Sequence, residues 1–490
     1  MSELSIPGIG PPEAINRRSM HKEAILRARD RSAADRARWL ERAAFFHAED
    51  LRFLKFQIPE GLRVLELGCG NGHLLAALNP SVGVGVDFSA SLIDEARTKY
   101  PHLSFVIGDV DDDGIIRSLP GPFDVILIAD TLGEIDDCQR LFESLHDLCA
   151  PNGRLIVAYF SHVWYPALKL AELLRMRMPQ PAQNVLAPAD IRAIAELANF
   201  ETIKSEIRML TPIGLFGVGR LVNRFVAPFP LIRNLCLRHY SVCRSLRRTD
   251  DVASTTIVIP VRNERGNIAA AVRRIPRFVD DLEIIFVEGH SHDGTWEEIE
   301  RVIAANPRYD IKAIRQSGKG KADAVFAGFD AARGDALMIL DGDLTVPPEQ
   351  LPKFWQAVRS GKGEFINGSR LVYPMADEAM RFLNLVANKL FALMFTWLLS
   401  QRVTDTLCGT KVLRRADYLR LKQGRSYFGK FDPFGDFDLL FGASKLGLKI
   451  IEIPVRYASR TYGETQISRF RHGWMLLRMV MFAFLRIKAL

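Results

Sequence analysis

The stretch RVLELGCGNGHLLAAL, residues 63–78, decides the fold of the first half of this chain. An apolar run typical of a buried strand enters a turn with three glycines and then continues as a helical pattern. Glycine lets the backbone turn tightly and approach a ligand more closely than a side chain would allow. The stretch therefore predicts a strand–turn–helix unit of an α/β fold, with a ligand at the turn.

Acidic residues end the strands that follow this unit. VGVGVDF ends at Asp87, 21 residues after Glu66, where a carboxylate can accept hydrogen bonds from both hydroxyls of a ribose. LSFVIGDV ends at Asp109, FDVILIADTLGEI continues past Asp130, and GRLIVAYF follows the PNG turn at 151–153. Strands that alternate with helical segments predict an α/β domain.

The glycine turn, the two acidic strand ends and the PNG turn, in this order, resemble the class I S-adenosylmethionine-dependent methyltransferases over about residues 40–205. The resemblance implies a Rossmann-like fold and S-adenosyl-L-methionine as cofactor. The cofactor-binding residues that it implies are Glu66, Gly68, Gly70, Gly72, Asp87, Asp109, Val110 and Asp130. The GxGxG spacing differs from the dinucleotide GxGxxG and argues against NAD. ADTLGE lacks the motifs of enzymes that methylate nucleic acid bases.

Methyl transfer mainly needs positioning, with a base only where the acceptor must lose a proton. His162, Asp130 and Glu134 are the candidate bases. A purely structural role for each of them is the alternative. A first domain that binds its cofactor without turnover, as a scaffolding module, also remains open.

The alternation of strands and helices restarts near residue 252, which predicts a second α/β domain. SGKGKADAVFAGFDAA, residues 317–332, alternates glycine and lysine before a helix, a suitable cradle for a diphosphate. ILDGDLT, residues 339–345, is an apolar strand that runs into Asp341 and Asp343. Because an unpaired buried carboxylate costs several kcal/mol, a cation is expected against this pair. The alternative is a strand-end turn with solvated or helix-capping aspartates.

These motifs resemble glycosyltransferase family 2 over about residues 252–470, particularly the dolichol- and polyprenol-phosphate mannosyl- and glucosyltransferases. The resemblance implies a GT-A fold, that is, a nucleotide-diphospho-sugar transferase fold. The nucleotide-sugar-binding residues that it implies are Pro260, Asn263, Glu264, Glu288, Ser291, Lys319, Lys321 and Asp341. Gly289 replaces an aspartate that the family's turn usually carries, so the base of the UDP- or GDP-linked donor stays open.

In this resemblance Asp341 and Asp343 hold Mg²⁺ or Mn²⁺ against the donor diphosphate, since hard cations prefer carboxylate and phosphate oxygens. The metal neutralises the leaving nucleoside diphosphate while the acceptor attacks from the opposite face, which inverts the anomeric centre. The catalytic residues implied are Asp341, Asp343, Asp438 and Arg460. Asp438 stands where the family has a glutamate, and Gln466 replaces a lysine of the acceptor loop.

Two acceptors remain open. For a polyprenyl phosphate, we expect Arg370, Lys411 and Arg460 to bind the phosphate, because guanidinium forks match its oxygens. A phosphate nucleophile is already anionic and needs no base. For a soluble or polysaccharide hydroxyl, Asp438 or Asp436 becomes the candidate base.

The chain carries 65 Lys and Arg against 57 Asp and Glu, and the basic excess is local. Residues 207–249 contain eight arginines and no acidic residue among many apolar ones, and residues 471–490 repeat the pattern. Basic and apolar together favour an anionic membrane surface over nucleic acid as partner. A helix lying on the bilayer is also expected at 379–400. Ordinary core helices with solvated basic edges are the alternative.

The sequence thus predicts two enzymatic domains in one chain. The expected divisions are an extension (1–40), a methyltransferase domain (41–205), a basic apolar linker (206–250), a glycosyltransferase domain (251–470) and a basic amphipathic segment (471–490). We expect synthesis of a lipid-linked saccharide or a cell-surface polysaccharide. Six cysteines without CxxC spacing, the absence of a signal sequence and the lack of a long apolar run predict a cytoplasmic protein, peripheral at the inner membrane face.

Overall fold

A computed structural model describes residues 22–25, 27, 38–180, 184–247, 252–372, 382–429, 435–458, 460, 462 and 469–490. These residues form two seven-stranded sheets with helices packed around them. Strand and helix alternate along the chain, so both predicted α/β domains are confirmed.

The first sheet has the strand order β3–β2–β1–β4–β5–β7–β6. Its strands are β1 (Arg63–Leu67), β2 (Val82–Asp87), β3 (Ser104–Ile107), β4 (Phe123–Ala129), β5 (Cys149–Phe160), β6 (Phe200–Arg208) and β7 (Arg238–Ser245). The first five are parallel, and β7 runs antiparallel to both neighbours. Its helices are α1 (Ala44–Gln57), α2 (His73–Ala77), α3 (Ala90–Lys99), α4 (Asp113–Ser118), α5 (Cys138–Ser144), α6 (Tyr165–Leu173), α7 (Pro188–Leu197) and α8 (Val218–Phe225).

Strand β7 corrects the predicted linker over residues 206–250. It lies between β5 and β6, and every residue of it is buried. The arginines that suggested a surface segment include Arg238, which is fully buried because Asp50 and Asp130 neutralise it. Part of the predicted linker is therefore an inner strand of the first sheet.

The second sheet has the order β10–β9–β8–β11–β13–β12–β14, with β13 antiparallel to β11 and β12. Its strands are β8 (Ser254–Val261), β9 (Asp281–Glu288), β10 (Asp310–Arg315), β11 (Ala336–Ile339), β12 (Phe365–Ser369), β13 (Lys411–Arg414) and β14 (Ile450–Pro454). Its helices are α9 (Arg265–Arg274), α10 (Thr295–Ala305), α11 (Lys321–Ala331), α12 (Leu351–Arg359), α13 (Phe382–Leu399), α14 (Arg415–Gly424), α15 (Asp436–Lys445) and α16 (Arg469–Ala483).

Buried ion pairs join the two sheets. The Arg154 guanidinium donates to both carboxylate oxygens of Glu364 at 2.9 Å, and each side chain is 6% exposed. Lys488, near the last described residue, donates to Glu206 on β6 at 2.7 Å. Removing one partner of such a pair leaves an uncompensated buried charge, which costs about 3–5 kcal/mol. The two domains are therefore held together by more than apolar packing.

Within the described residues, no helix has the length and apolar content needed to cross a membrane. Helix α13 falls within the predicted 379–400 helix.

Candidate functional site

The glycine turn after β1 is folded by Asp87. One carboxylate oxygen of Asp87 accepts the backbone N–H of Gly70 and the other accepts that of Ser89, both at 2.9 Å. Gly68 has a φ of 79°, and a Cβ there would lie 2.0 Å from the Thr131 hydroxyl. The turn thus requires glycine and presents backbone amides at the carboxyl edge of the sheet, where ligands of α/β folds bind. Asp87 is 1% exposed, so in this structure it shapes the turn.

Glu66 at the end of β1 is buried, and its Oε2 has no hydrogen-bond partner among the described residues. Burial raises the pKa of this carboxyl to about 8. An orphaned buried carboxylate oxygen beside an amide-lined turn suits a cationic group such as the methionine amine of the predicted cofactor. The donor set of the turn therefore fits S-adenosyl-L-methionine.

Lys22 packs onto the carboxylates after β3. Its amine donates to Asp109 at 2.5 Å and also to Asp111, and Lys22 is 4% exposed. Val110, between these aspartates, is buried. A piece of the predicted N-terminal extension thus lies against the position predicted for the adenine.

Asp130 follows β4 with a φ of 58° and receives the guanidinium of Arg238, which also binds Asp50 at 3.0 Å. Arg238 reaches this place because it pairs with Phe160 across β5 and β7. Sequence reasoning missed Arg238, because RHYSVCRS has no clear alternation of polar and apolar residues and its carboxylate partners are distant in the chain. Among the candidate bases, His162 is exposed and Glu134 is buried.

A cavity of about 80 Å³ opens at the carboxyl ends of β4 and β5. Asp130 and His162 line it, and so does Tyr159. Tyr159 is 7% exposed, and its hydroxyl has no hydrogen-bond partner among the described residues. Burial raises the pKa of this phenol above its usual value, so it stays protonated and able to donate a hydrogen bond.

In the second domain, the turns after β8 and β9 are locked together by hydrogen bonds. The Asn263 N–H donates to the Ser291 hydroxyl at 2.9 Å, and the His292 N–H donates to the Asn263 side-chain oxygen at 2.9 Å. The Ser291 N–H donates to buried Glu288. Pro260 lies at the end of β8, and buried Glu264 follows in the same turn. An open depression of about 740 Å³ borders Glu288 and Ser291, a size that suits a nucleotide.

The two aspartates after β11 each contact a cation of the chain. Lys321, at the start of α11, lies 2.6 Å from Asp341, and Arg460 lies 2.7 Å from Asp343. Although burial alone would raise it, Lys321 holds the pKa of Asp341 below its usual value. A Cβ on Gly409 would lie 1.9 Å from the Asp341 carboxylate, so only glycine lets the backbone pass there. The cation expected beside this pair is therefore supplied by the protein itself.

Further charged residues lie next to the ion pair of Lys321 and Asp341. Asp436 is 3.8 Å from Lys321 and 3.2 Å from Lys411, which is fully buried. The structure thus brings Asp341, Lys321, Asp436 and Lys411 into one chain of alternating charge. Lys319 is exposed on the turn before α11.

Two other residues predicted for the glycosyltransferase site, Arg370 and Asp438, form ion pairs with residues outside this charge cluster. Arg370 forms two hydrogen bonds to Asp405, at 2.7 and 2.8 Å. Asp438 contacts Arg425 at 2.8 Å. Gln466, in the predicted acceptor loop, lies outside the described residues.

The chain matches two family models. Residues 36–205 match the model described as methyltransferase domain, and residues 256–420 match glycosyl transferase family 2. These matches agree with the two sheets and with the two predicted folds, the Rossmann-like methyltransferase and the GT-A domain.

Two curated relatives are similar to the second half. The dolichol-phosphate mannosyltransferase of Pyrococcus furiosus is 30% identical over 221 residues, which cover 44% of this chain and 59% of the relative. The undecaprenyl-phosphate mannosyltransferase of Micrococcus luteus is 28% identical over 221 residues, covering 43% and 86%. The chain spans about three fifths of the length of the first curated relatives that it matches.

Two solved structures are similar at lower identity. A S-adenosylmethionine-dependent methyltransferase of Thermotoga maritima is 20% identical with a TM-score of 0.33, covering 38% of this chain and 87% of that one. The glucosyl-3-phosphoglycerate synthase of Mycobacterium tuberculosis, in complex with Mn²⁺ and uridine diphosphate, is 18% identical with a TM-score of 0.36, covering 48% and 80%.

Proposed function

We propose two activities for this chain, which joins a class I methyltransferase domain to a family 2 glycosyltransferase domain. The second domain transfers a sugar from a UDP- or GDP-linked donor to a polyprenyl phosphate, with inversion at the anomeric carbon. The first domain methylates a small molecule or glycan with S-adenosyl-L-methionine. Together they serve the synthesis of a lipid-linked saccharide or a cell-surface polysaccharide at the cytoplasmic membrane face.

The observation that carries the glycosyltransferase proposal is the arrangement of Asp341 and Asp343. Both follow a buried strand at the sheet edge where ligands bind, and each is neutralised by one cation. Two carboxylates with oxygen-only donors fit Mg²⁺ or Mn²⁺, which takes its remaining ligands from phosphate and water. When bound, the metal would neutralise the leaving diphosphate. Lys321, at the start of α11, is placed to add a second positive charge there.

The charges around the site favour a phosphate acceptor over a hydroxyl. Asp436 contacts Lys411 and Lys321, and Asp438 contacts Arg425. Both carboxylates that could serve as a base for a hydroxyl are therefore already paired with cations of the chain. An acceptor that is already anionic needs no base, and Arg460 on the predicted acceptor loop is placed to attract it.

In the first domain, Glu66 and the Asp87-shaped turn would hold the cofactor, which supplies a methyl group on a positively charged sulfur. Asp130 and His162 line the cavity at the ends of β4 and β5. His162 can take a proton from an acceptor hydroxyl, whereas Asp130 can do so only by giving up its ion pair with Arg238, and variants of both test this against a purely structural role.

A donor screen tests this function. The full chain is incubated with polyprenyl phosphate, Mn²⁺ or Mg²⁺, and a panel of radiolabelled UDP- and GDP-sugars. We expect label in the organic phase, and its loss in Asp343→Ala but not in Glu349→Gln, which breaks only an exposed ion pair with Arg274. Label that enters only water-soluble glycan would establish the hydroxyl-acceptor alternative. Label that survives in Asp343→Ala would refute the metal site.

A further inference from the structure

The cavity at the end of β4 and β5 is too small for a whole glycolipid. Its volume is about 80 Å³, whereas pockets that enclose a small-molecule ligand begin at about 300 Å³. A cavity of this size suits one end of an acceptor. The Tyr159 hydroxyl, buried and without a partner among the described residues, would be satisfied by a hydrogen-bonding group on this end. The rest of the acceptor must lie on the surface around the opening.

Helix α6 forms one wall of the opening. Its polar residues Lys169 and Glu172 face the cavity, and several of its leucines face solvent. Tyr165, Leu168, Lys169 and Glu172, spaced by three, one and three residues, line the cavity. The opposite face carries leucines that point to solvent: Leu170 is 56% exposed and Leu173 is 80% exposed. A surface helix normally turns its apolar face to the core, so an outward apolar face indicates contact with another apolar medium.

This face continues across the molecule. The Trp164 indole N–H, just before α6, donates to the Leu235 carbonyl at 2.7 Å. Phe229, six residues before Leu235 in the chain, stacks on Trp397 of α13 at 5.6 Å and lies 5.8 Å from Phe484 after α16. We call this surface the apolar belt. Its most exposed side chains are Leu173, Phe216, Leu231, Leu393 and Trp474.

The charge of the apolar belt selects its partner. Residues 207–249 hold no Asp or Glu, and residues 387–400 and 473–490 hold none either. The exposed basic residues of the belt are Arg175, Arg220, Arg224, Lys389, Arg478 and Arg486. Glu172 of α6 lines the cavity and is paired with Lys169 and Arg177. Exposed apolar side chains beside exposed cations match the surface of an anionic lipid leaflet.

Helix α13, which carries Leu393 of the apolar belt on its outer side, packs with its inner side against α15. Phe395 of α13 and Phe437 of α15 are both buried and stack at 5.4 Å, and Phe437 lies between Asp436 and Asp438 in the sequence. One helix of the belt thus packs on the helix that carries the acceptor-side carboxylates, and another, α6, forms a wall of the Tyr159 cavity.

We propose that the methyl acceptor is itself a lipid-linked molecule, bound with its tail in the leaflet that the apolar belt contacts and its polar end in the Tyr159 cavity. This deepens the proposed function, on which it rests, by naming the class of methyl acceptor. For a hydroxyl acceptor, the oxygen forms a C–O bond to the methyl carbon as the C–S bond breaks. The bonding pair stays on sulfur, and the proton passes to His162 or Asp130 at the cavity wall.

Vesicle binding tests the apolar belt without any turnover. The full chain is sedimented with phosphatidylcholine vesicles and with vesicles that contain phosphatidylglycerol. We expect binding to the anionic vesicles, weakened about tenfold or more in Leu170→Glu/Leu173→Glu, because two exposed leucines that would enter the leaflet are replaced by anions. The matched control is Leu197→Glu, an equally exposed leucine (63%) at the end of α7, which should bind as the parent does. Equal binding by both variants, or a dimer in solution that covers the belt, would overturn the proposal.

Methyl transfer tests the acceptor class. The full chain receives S-adenosylmethionine with a tritiated methyl group and either the lipid extract of the source cells in vesicles or their delipidated soluble extract. We expect label in the organic phase, reduced in Tyr159→Phe and in the α6 variant while cofactor binding stays intact. Label only in the soluble extract, or in neither extract, would overturn the proposal. Sugar transfer is read separately in the donor screen, so failure of one assay is distinguishable from failure of the other.

Discussion

Arg460→Ala should tighten divalent metal binding while it weakens sugar transfer. Arg460 and a metal compete for the same carboxylate, since the guanidinium lies 2.7 Å from Asp343. The Asp343 carboxylate keeps its place without Arg460, because its other oxygen accepts the Thr345 N–H and hydroxyl at 3.1 and 2.8 Å. The substitution therefore frees one oxygen for the metal and leaves the ligand oriented.

The size of the effect follows from the exposure of the pair. The Arg460 and Asp343 side chains are 27% and 17% exposed, so the pair is stronger than a fully solvated one but is still screened. An exposed pair is worth at most about 1 kcal/mol, which corresponds to roughly fivefold in affinity. Sugar transfer to polyprenyl phosphate should fall about thirtyfold or more, because a charged partner of the acceptor phosphate is lost.

Calorimetric titration of Mn²⁺ in the presence of uridine or guanosine diphosphate measures the first effect, and initial rates measure the second. Arg456→Ala is the matched control, since it removes the same charge from an exposed position of the same segment. Its metal affinity should match that of the parent. Unchanged or weaker Mn²⁺ binding in Arg460→Ala would refute the competition between guanidinium and metal.

Three further outcomes are expected. Asp87→Ala should abolish cofactor binding measured by equilibrium dialysis, because the backbone of the glycine turn loses its acceptor; methylation that continued undiminished would disprove this site. Since the pKa of Glu66 is raised to about 8, the affinity for S-adenosylmethionine should rise with pH up to about 8 and then level. A Glu66→Gln variant is the control, because it shows only the change that comes from titration of the ligand itself. Burial lowers the pKa of Lys204 from 10.5 to about 7. Between these two pH values the unfolded chain binds more protons than the folded chain, so the free energy of unfolding rises with pH there. Lys204→Met should lose that rise, up to about 1.4 kcal/mol per pH unit in urea unfolding, and parallel curves for the two proteins would contradict it.

The predicted sites rest on local signals, and the structure places most of them where strands end. Glycine turns and acidic strand ends are read from a few neighbouring residues, so the positions of Asp87 and Asp341 at the ends of strands could be predicted, while their roles stay predictions. Arg238 could not, because its partner Asp50 is 188 residues away and the pairing depends on where β7 enters the sheet. A basic apolar stretch has the same composition whether it covers a membrane or fills an inner strand. Lys22 was missed for a similar reason, since its carboxylate partner is 87 residues distant.

The position of β7 determines how this chain can be dissected. A recombinant fragment that ends at residue 205, where the family match ends, would lack β7 and expose the β5 edge over six residues that normally pair with it. An open edge of this kind invites aggregation, and the fragment would also lose Arg238 beside Asp130. An inactive fragment would therefore reflect a broken sheet and not an idle domain. Separate assignment of the two reactions is better made by point substitution in the whole chain.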